Sequence, residues 1–340
     1  MDNLTHTLTG IAIAQAGLKR KTRFAMLALI IASNLPDIDV AFAGRGTVGY
    51  LTHHRAITHS LLGLTVLSAI LAAALYALGR RTQAKKSGPR LSMKWLFAVC
   101  WIGMAVHVLM DFTNAYGVRP FLPFSGRWYA WGIMPIVDFW LLFFLILGLC
   151  VPLVLGLITE EVGGRRSSAG AVRKGAIFAL CALVALWGCR ALSRHRAVTL
   201  LGAHTYGDEN PDELGAFPTA LNPFEWNGVA ETDSAFYTLR VNSLASDLNL
   251  FAETVLRKPP PTPALAVAQK TEAARVFLNF ARLPYAIVYS DASGFRVYIR
   301  DLRFVRPGTP SWNFVLETDL DPSLHVKQQS FHFQMTAPLY

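Results

Sequence analysis

The sequence predicts an all-α polytopic membrane domain of about six helices over residues 1–194, followed by a small α+β soluble domain over residues 195–340. Three observations predict it. Of 340 residues, 53% are apolar and only 16% charged, too little charge for an ordinary soluble enzyme. Five apolar runs, near 23–43, 57–78, 95–116, 132–158 and 174–193, reach the roughly 20 residues that a bilayer demands. Beyond about 195, prolines and alternating segments replace the runs.

Taken in order, the chain opens on a shorter helical segment, 4–17, which lacks the basic start of a cleavable signal peptide and is interrupted by His6 and several threonines. Lys/Arg clusters at Lys19–Arg23, Arg80–Lys94 and Arg165–Lys174 separate the runs, while the alternate loops hold only Arg45, Arg55, Arg119 and Arg127. By the positive-inside rule the clusters are cytoplasmic, so both termini and the C-terminal domain face outward. The runs contain no duplication and no mid-helix break.

In the second domain, Pro211, Pro218 and Pro223 mark loops, and Lys258-Pro259-Pro260-Pro261 marks a stiff linker. Residues 236–244, 295–304, 312–319 and 326–333 alternate as strands, and 263–282 is Ala-rich with helical spacing. Asp319 and Asp321 read as turn residues, and Asn222–Trp226 as a hydrophobic anchor inside the domain.

Charge and cysteine content exclude several classes. Residues 1–194 hold 20 Lys+Arg against 7 Asp+Glu, a net of +13, and the rest hold 12 against 15, a net of −3. The basic excess therefore belongs to membrane topology, and no nucleic-acid partner is expected. The four cysteines all lie in apolar runs, which leaves neither a disulfide framework nor a CxxC metal knuckle. No phosphate loop of the GxxxxGK[ST] kind occurs.

Chemistry concentrates in the membrane half. A carboxylate at membrane depth costs several kcal/mol unless paired or metal-bound, so Asp2, Asp37, Asp39, Asp111 and Asp138 stand out there. His107 and Asp111 are i, i+4 on one helical face, a natural pair for a divalent ion. Asn34-Leu35-Pro36-Asp37-Ile38-Asp39 puts two carboxylates after a helix-breaking proline; in an extended segment both point to one side and approach the same ion. His54 and His59 flank the start of the second run, with His53 beside them at the surface or behind the ligands, and His6 lies on the short first segment.

On the predicted orientation His6, Asp37, Asp39, His54, His59, His107, Asp111 and Asp138 all fall at one level, near the outer face. A mixed His/Asp set suits zinc, with manganese as the alternative, and supplies ligands for one to three ions. Arg55 is placed to neutralise a phosphate oxygen.

These motifs, Thr5-His6 with Gly10, Asn34 to Asp39, His54-Arg55 with Thr58-His59-Ser60, and His107, Asp111, Asn114, Tyr116 and Gly117, resemble the YdjM-like family of membrane-bound, metal-dependent hydrolases, some of them LexA-regulated in bacteria. The resemblance covers roughly residues 1–160 and, more loosely, Asn222–Trp226. It implies a bacterial inner-membrane hydrolase that uses His6, Asp37, Asp39, His54, His59, His107 and Asp111, with Asp138 as a further ligand. The pattern is also distantly similar to that of the zinc-dependent phospholipase C and nuclease superfamily. The chain departs from the family pattern at Gly132 and Phe139, the former a position where relatives carry an acidic residue.

The resulting expectation is a hydrolase whose metal centre lies below the outer surface, capped by the C-terminal domain. It acts on a phosphoester of a membrane lipid or lipid-linked substrate, with Asp37 or Asp39 holding the water and Arg55 stabilising charge. An ion transporter and a non-catalytic membrane anchor are the alternatives from other classes.

Overall fold

The computed structural model describes residues 1–82, 88–161, 168–250, 253–309 and 311–337. Lys85, Lys86, Arg165 and Arg166 of the two later basic clusters lie outside the described residues. Two compact units emerge, Met1–Val40 with Arg55–Arg190, and Ala41–His54 with Ala191–Tyr340.

The first unit is helical: α1 (Asn3–Ala16), α2 (Ala25–Ala32), α4 (Leu61–Arg81), α5 (Met93–Phe112), α6 (Phe139–Glu161) and most of α7 (Ser168–Gly202). Among the described residues, five segments are long and apolar enough to cross a membrane: Ala25–Arg45, Leu61–Arg81, Met93–Phe112, Phe139–Gly156 and Ala169–Gly202. Helix α1, at 14 residues, extends about 21 Å and falls short of a bilayer's hydrocarbon core. Apolar side chains such as Val66 and Ile70 on α4 and Phe143 and Leu153 on α6 are exposed, as expected of surfaces that meet acyl chains rather than water.

Helices α1, α4 and α5 pack around α2, whose Ala25, Ala28 and Ala32 are fully or almost fully buried. Small residues let helices approach closely where no solvent drives them together. Gly10 does the same on α1, because a Cβ there would run into Ser33 Oγ and come within 3.0 Å of the Leu29 carbonyl.

The absence of a mid-helix break is corrected by the first run. Its α-helix ends at Ala32, and a 3-10 helix follows from Leu35 to Arg45. Pro36, which lacks an N–H, sits in the first turn of that second piece. Other runs start later or stop earlier than their hydropathy: α4 begins only at Leu61, α5 ends at Phe112, and residues between α5 and α6 form irregular loops tied by short bridges, Asn114 to Met134 and Val118 to Tyr129.

The second unit is α+β. Strands β1 (Glu213–Pro218), β2 (Glu225–Glu231), β3 (Ala235–Asn242) and β4 (Thr254–Arg257) form one antiparallel sheet in sequence order. A second comprises β5 (Pro284–Asp291), β6 (Gly294–Asp301), β7 (Ser311–Leu320) and β8 (Val326–Thr336). Helices α8 (Pro263–Lys270) and α9 (Glu272–Phe280) cover the second sheet, joined there by α3 (Gly46–His53), whose Leu51 enters the same core as Phe277 and Ile299. The single helix expected over 263–282 is two, because the Thr271 hydroxyl accepts from the Ala274 N–H and caps a new helix. Asp319 lies in β7 and pairs with Arg296 at 2.8 Å, whereas Asp321 does occupy the following turn. Trp226 is fully buried and donates to Ser193 Oγ at 2.8 Å, which makes it the anchor of the first sheet's core.

Candidate metal site

Four chain segments of the first unit deliver the cluster. Helix α1 presents His6 one turn after its N-cap, Asp2, whose carboxylate accepts from the Thr5 N–H at 2.9 Å and its hydroxyl at 2.6 Å. The 3-10 helix after Asn34 presents Asp37 and Asp39, a short 3-10 turn over Ile57–His59 presents His59, and α5 presents His107 and Asp111. His6, Asp39, His59, His107 and Asp111 are buried, and the Asp37 side chain keeps 17% exposure.

Asp37, His59, His107 and Asp111 offer ligand atoms that all lie within 4.8 Å of one another. His59 Nε2 and His107 Nε2 are 3.1 Å apart. Asp37 Oδ1 stands 3.5 Å from each of them, and Asp111 Oδ2 stands 3.4 Å from His59 and 3.5 Å from His107. His6 completes the wall: its ring stacks on His107 with centroids 3.9 Å apart, and its Nε2 is 3.4 Å from Asp111 Oδ1. The α-amino group of Met1 also lies against Asp111 Oδ1.

The far edges of the two central imidazoles decide what the near edges are. His107 Nδ1 is 2.8 Å from the Ser33 carbonyl, which only accepts, so Nδ1 carries the proton. His59 Nδ1 is 3.2 Å from Asp39 Oδ2, a carboxylate, which fixes the same tautomer. His59 and His107 therefore turn their Nε2 atoms towards each other and towards two carboxylate oxygens. Among the described residues, Asp111 Oδ2 and both His6 ring nitrogens, all buried, find no hydrogen-bond partner. The four groups are of a kind that could hold a metal ion.

The extended reading of Asp37-Ile38-Asp39 is corrected here. In the 3-10 geometry Ile38 turns outward and both carboxylates reach His59, Asp37 at its Nε2 and Asp39 at its Nδ1. Asp39 also accepts from the Arg55 N–H at 2.8 Å and the Thr58 hydroxyl at 2.9 Å, so it stands behind the imidazole rather than among the four inward-facing atoms.

Arg55 sits in a left-handed turn with φ of 51° and is buried. Its Nη2 donates to Asp111 Oδ1 at 2.9 Å, its Nη1 to Asn114 Oδ1 at 3.0 Å, and its guanidinium lies 5.0 Å over the Tyr116 ring. Asn114 Oδ1 in turn accepts from the N–H groups of Tyr116 and Gly117 at 2.9 and 3.2 Å, which shapes the loop after α5 around the arginine.

Two expected ligands are not brought to the cluster. Asp138 is a helix cap and an ion-pair partner: it accepts from the Leu141 N–H at 2.8 Å and from Arg190 Nη2 at 2.5 Å. His54 belongs to the second unit, with its ring stacked on Tyr50 at 4.6 Å. His53 likewise stacks on Phe42, and its Nδ1 bonds the Gly49 carbonyl. Sequence reasoning in turn assigned no part to Ser33 and Thr58; only the position of Thr58 directly before His59 hinted at its role.

The model of the YdjM inner membrane protein family matches residues 1–197, a stretch that contains every residue of the cluster. The chain belongs to that family. A protein of Bacillus subtilis (strain 168), "Uncharacterized protein YfhP", is 28% identical over 146 residues, which make up 41% of this chain and 42% of the relative. The chain thus spans less than half the length of that relative. No solved structure matches. Family membership and the five apolar segments make this a membrane protein, with the cluster inside the helical part that defines the family.

Proposed function

We propose that the protein is an integral membrane, metal-dependent hydrolase that cleaves a phosphoester of a lipid or lipid-linked molecule. The observation that carries this reading is the meeting of two imidazoles and two carboxylates, His59, His107, Asp37 and Asp111, whose ligand atoms all lie within 4.8 Å of one another. The mixed imidazole and carboxylate donor set favours zinc, with manganese as the alternative. When bound, such an ion supplies Lewis acidity and lowers the pKa of water in its shell to about 7.

The chain's own residues do the rest. Asp39 holds His59 in the tautomer that leaves Nε2 bare. Asp37 is the one carboxylate of the four with an exposed edge, so it is the group that takes the proton of the attacking water. Arg55 Nε has no hydrogen-bond partner among the described residues, while its other nitrogens are held on Asp111 and Asn114; the fixed guanidinium stabilises charge that develops on a phosphate oxygen. A site among membrane-spanning segments meets amphiphiles first, which favours a lipid phosphoester over a soluble metabolite. The orientation from the basic loops puts the reaction at the outer leaflet of a bacterial inner membrane.

Elemental analysis of detergent-purified protein, followed by phosphate release from phospholipid and isoprenoid-phosphate substrates, tests the reading. Near-stoichiometric zinc or manganese is expected, lost with activity in His107→Ala and Asp111→Ala; normal metal content and activity in both would refute it. One observation favours a second reading, ion passage: the break after Ala32 puts Asp37 at a discontinuous segment, where transporters gather ligands. Metal flux in proteoliposomes without hydrolysis would reverse the order.

A further inference from the structure

The end of α1 remote from His6 borders a second feature, a cavity of about 560 Å³ between that helix end and α7. Its lining has two characters. Ile13, Leu18 and Leu180 make it apolar, while Arg20, Lys21 and Arg173 add three cations, and among the described residues no acidic side chain lines it. We infer that this cavity binds an anionic phospholipid, the phosphate against the three basic residues and the start of an acyl chain against the three apolar ones.

Each cation is accounted for by its surroundings. Arg173 donates from Nε to the Ala16 carbonyl at 2.9 Å, one of the unsatisfied acceptors at the end of α1, and makes no other hydrogen bond to a described residue. Its guanidinium is thereby fixed at the cavity with its two outer nitrogens available. Lys21 Nζ lies 4.8 Å over the Trp95 ring, and tryptophan is a residue of membrane–water interfaces. Arg20 and Lys21 are exposed, so their charges are not spent on an internal partner. A free anion leaves the apolar lining unused, and a neutral lipid leaves the cations unused; an anionic headgroup with its chain satisfies both. His6 and Ala16 are ten residues apart on α1, about 15 Å along its axis, so this cavity is separate from the cluster.

The test uses the full chain in detergent, titrated with dioleoyl phosphatidylglycerol or dioleoyl phosphatidylcholine, with bound lipid counted by native mass spectrometry. Phosphatidylglycerol is expected to be retained and phosphatidylcholine not. Each near-surface basic residue accounts for about a five-fold gain, so R20Q/K21Q/R173Q is expected to weaken binding on the order of 100-fold. Should that variant fail to fold, Leu180→Trp fills the cavity with every charge in place and is expected to expel the lipid. Equal retention of both lipids by the unaltered chain, or undiminished phosphatidylglycerol binding in the folded variants, overturns the inference. So does displacement of the lipid by millimolar inorganic phosphate, which would reveal a site for anions alone. None of these readouts depends on hydrolysis.

Discussion

Asp39→Asn separates the residues that touch an ion from those that position them. Asp39 Oδ2 faces three donors: the Arg55 N–H at 2.8 Å, the Thr58 hydroxyl at 2.9 Å and His59 Nδ1 at 3.2 Å. An asparagine is nearly isosteric, so the turn is retained, but it has one acceptor oxygen and an amide that donates. Where the amide faces His59, the imidazole proton moves to Nε2 and points into the cluster; where the oxygen faces it, the charge that made Nε2 basic is gone. Loss of a carboxylate behind a histidine ligand costs about 10- to 100-fold in metal affinity, or about 1.4–2.8 kcal/mol. Asp111→Asn, which also neutralises a ligand, is expected to cost more. Metal retained after dialysis against graded chelator measures both. Identical depletion in the two variants would put Asp39 among the ligands, and an unaltered Asp39→Asn would remove it from the site altogether.

Three further outcomes are expected. Gly63→Ala drives a methyl into the Ile57 carbonyl in the turn that carries His59, so metal retention and the unfolding midpoint should fall together. Arg190→Met leaves the Asp138 carboxylate buried and unpaired, at a cost of about 3–5 kcal/mol, whereas adding Asp138→Asn should restore most of the midpoint in thermal unfolding; no recovery would mean that the two side chains act independently. In the second unit the Asp321 carboxyl is held below its usual range, first by the His325 backbone N–H and then by the His325 ring. A depressed carboxyl stabilises the fold above the unfolded pKa of 3.8 and loses that contribution as pH falls through the lower folded value. Acid unfolding of Asp321→Asn should therefore begin from a lower plateau and show a shallower fall below about pH 4.

Much of the cluster was legible because its signals are local. His107 and Asp111 share a face by helical spacing, and Asp37 and Asp39 stand out as charges beside a membrane run. What a single sequence withheld was tertiary. Asp138 has the same signature as Asp111, yet its partner Arg190 comes 52 residues later, and nothing in the spacing links them. His54 precedes Arg55 by one residue, but its segment follows α3 into the α9 core, which hydropathy alone does not announce. The division of labour between Asp37 and Asp39 depends on a 3-10 turn rather than an extended segment. In the second unit, β6, β7 and β8 fall on the expected strand segments 295–304, 312–319 and 326–333, whereas β1 and β2 contain glycines, β1 ends in proline, and neither was foreseen.

The contact between His107 and the Ser33 carbonyl closes a loop of 74 residues, and it is one of several such closures at the cluster. With all four cysteines free, no covalent clip shares that task. By loop-closure entropy a lasting tie across such a distance removes about 4–5 kcal/mol of freedom from the unfolded chain. During synthesis α1 and α2 leave the ribosome long before α5, so the first two must wait, half assembled, for their remaining partners. On the proposed function, an ion held by Asp37, His59, His107 and Asp111 would join three chain segments at once, as a rivet joins plates.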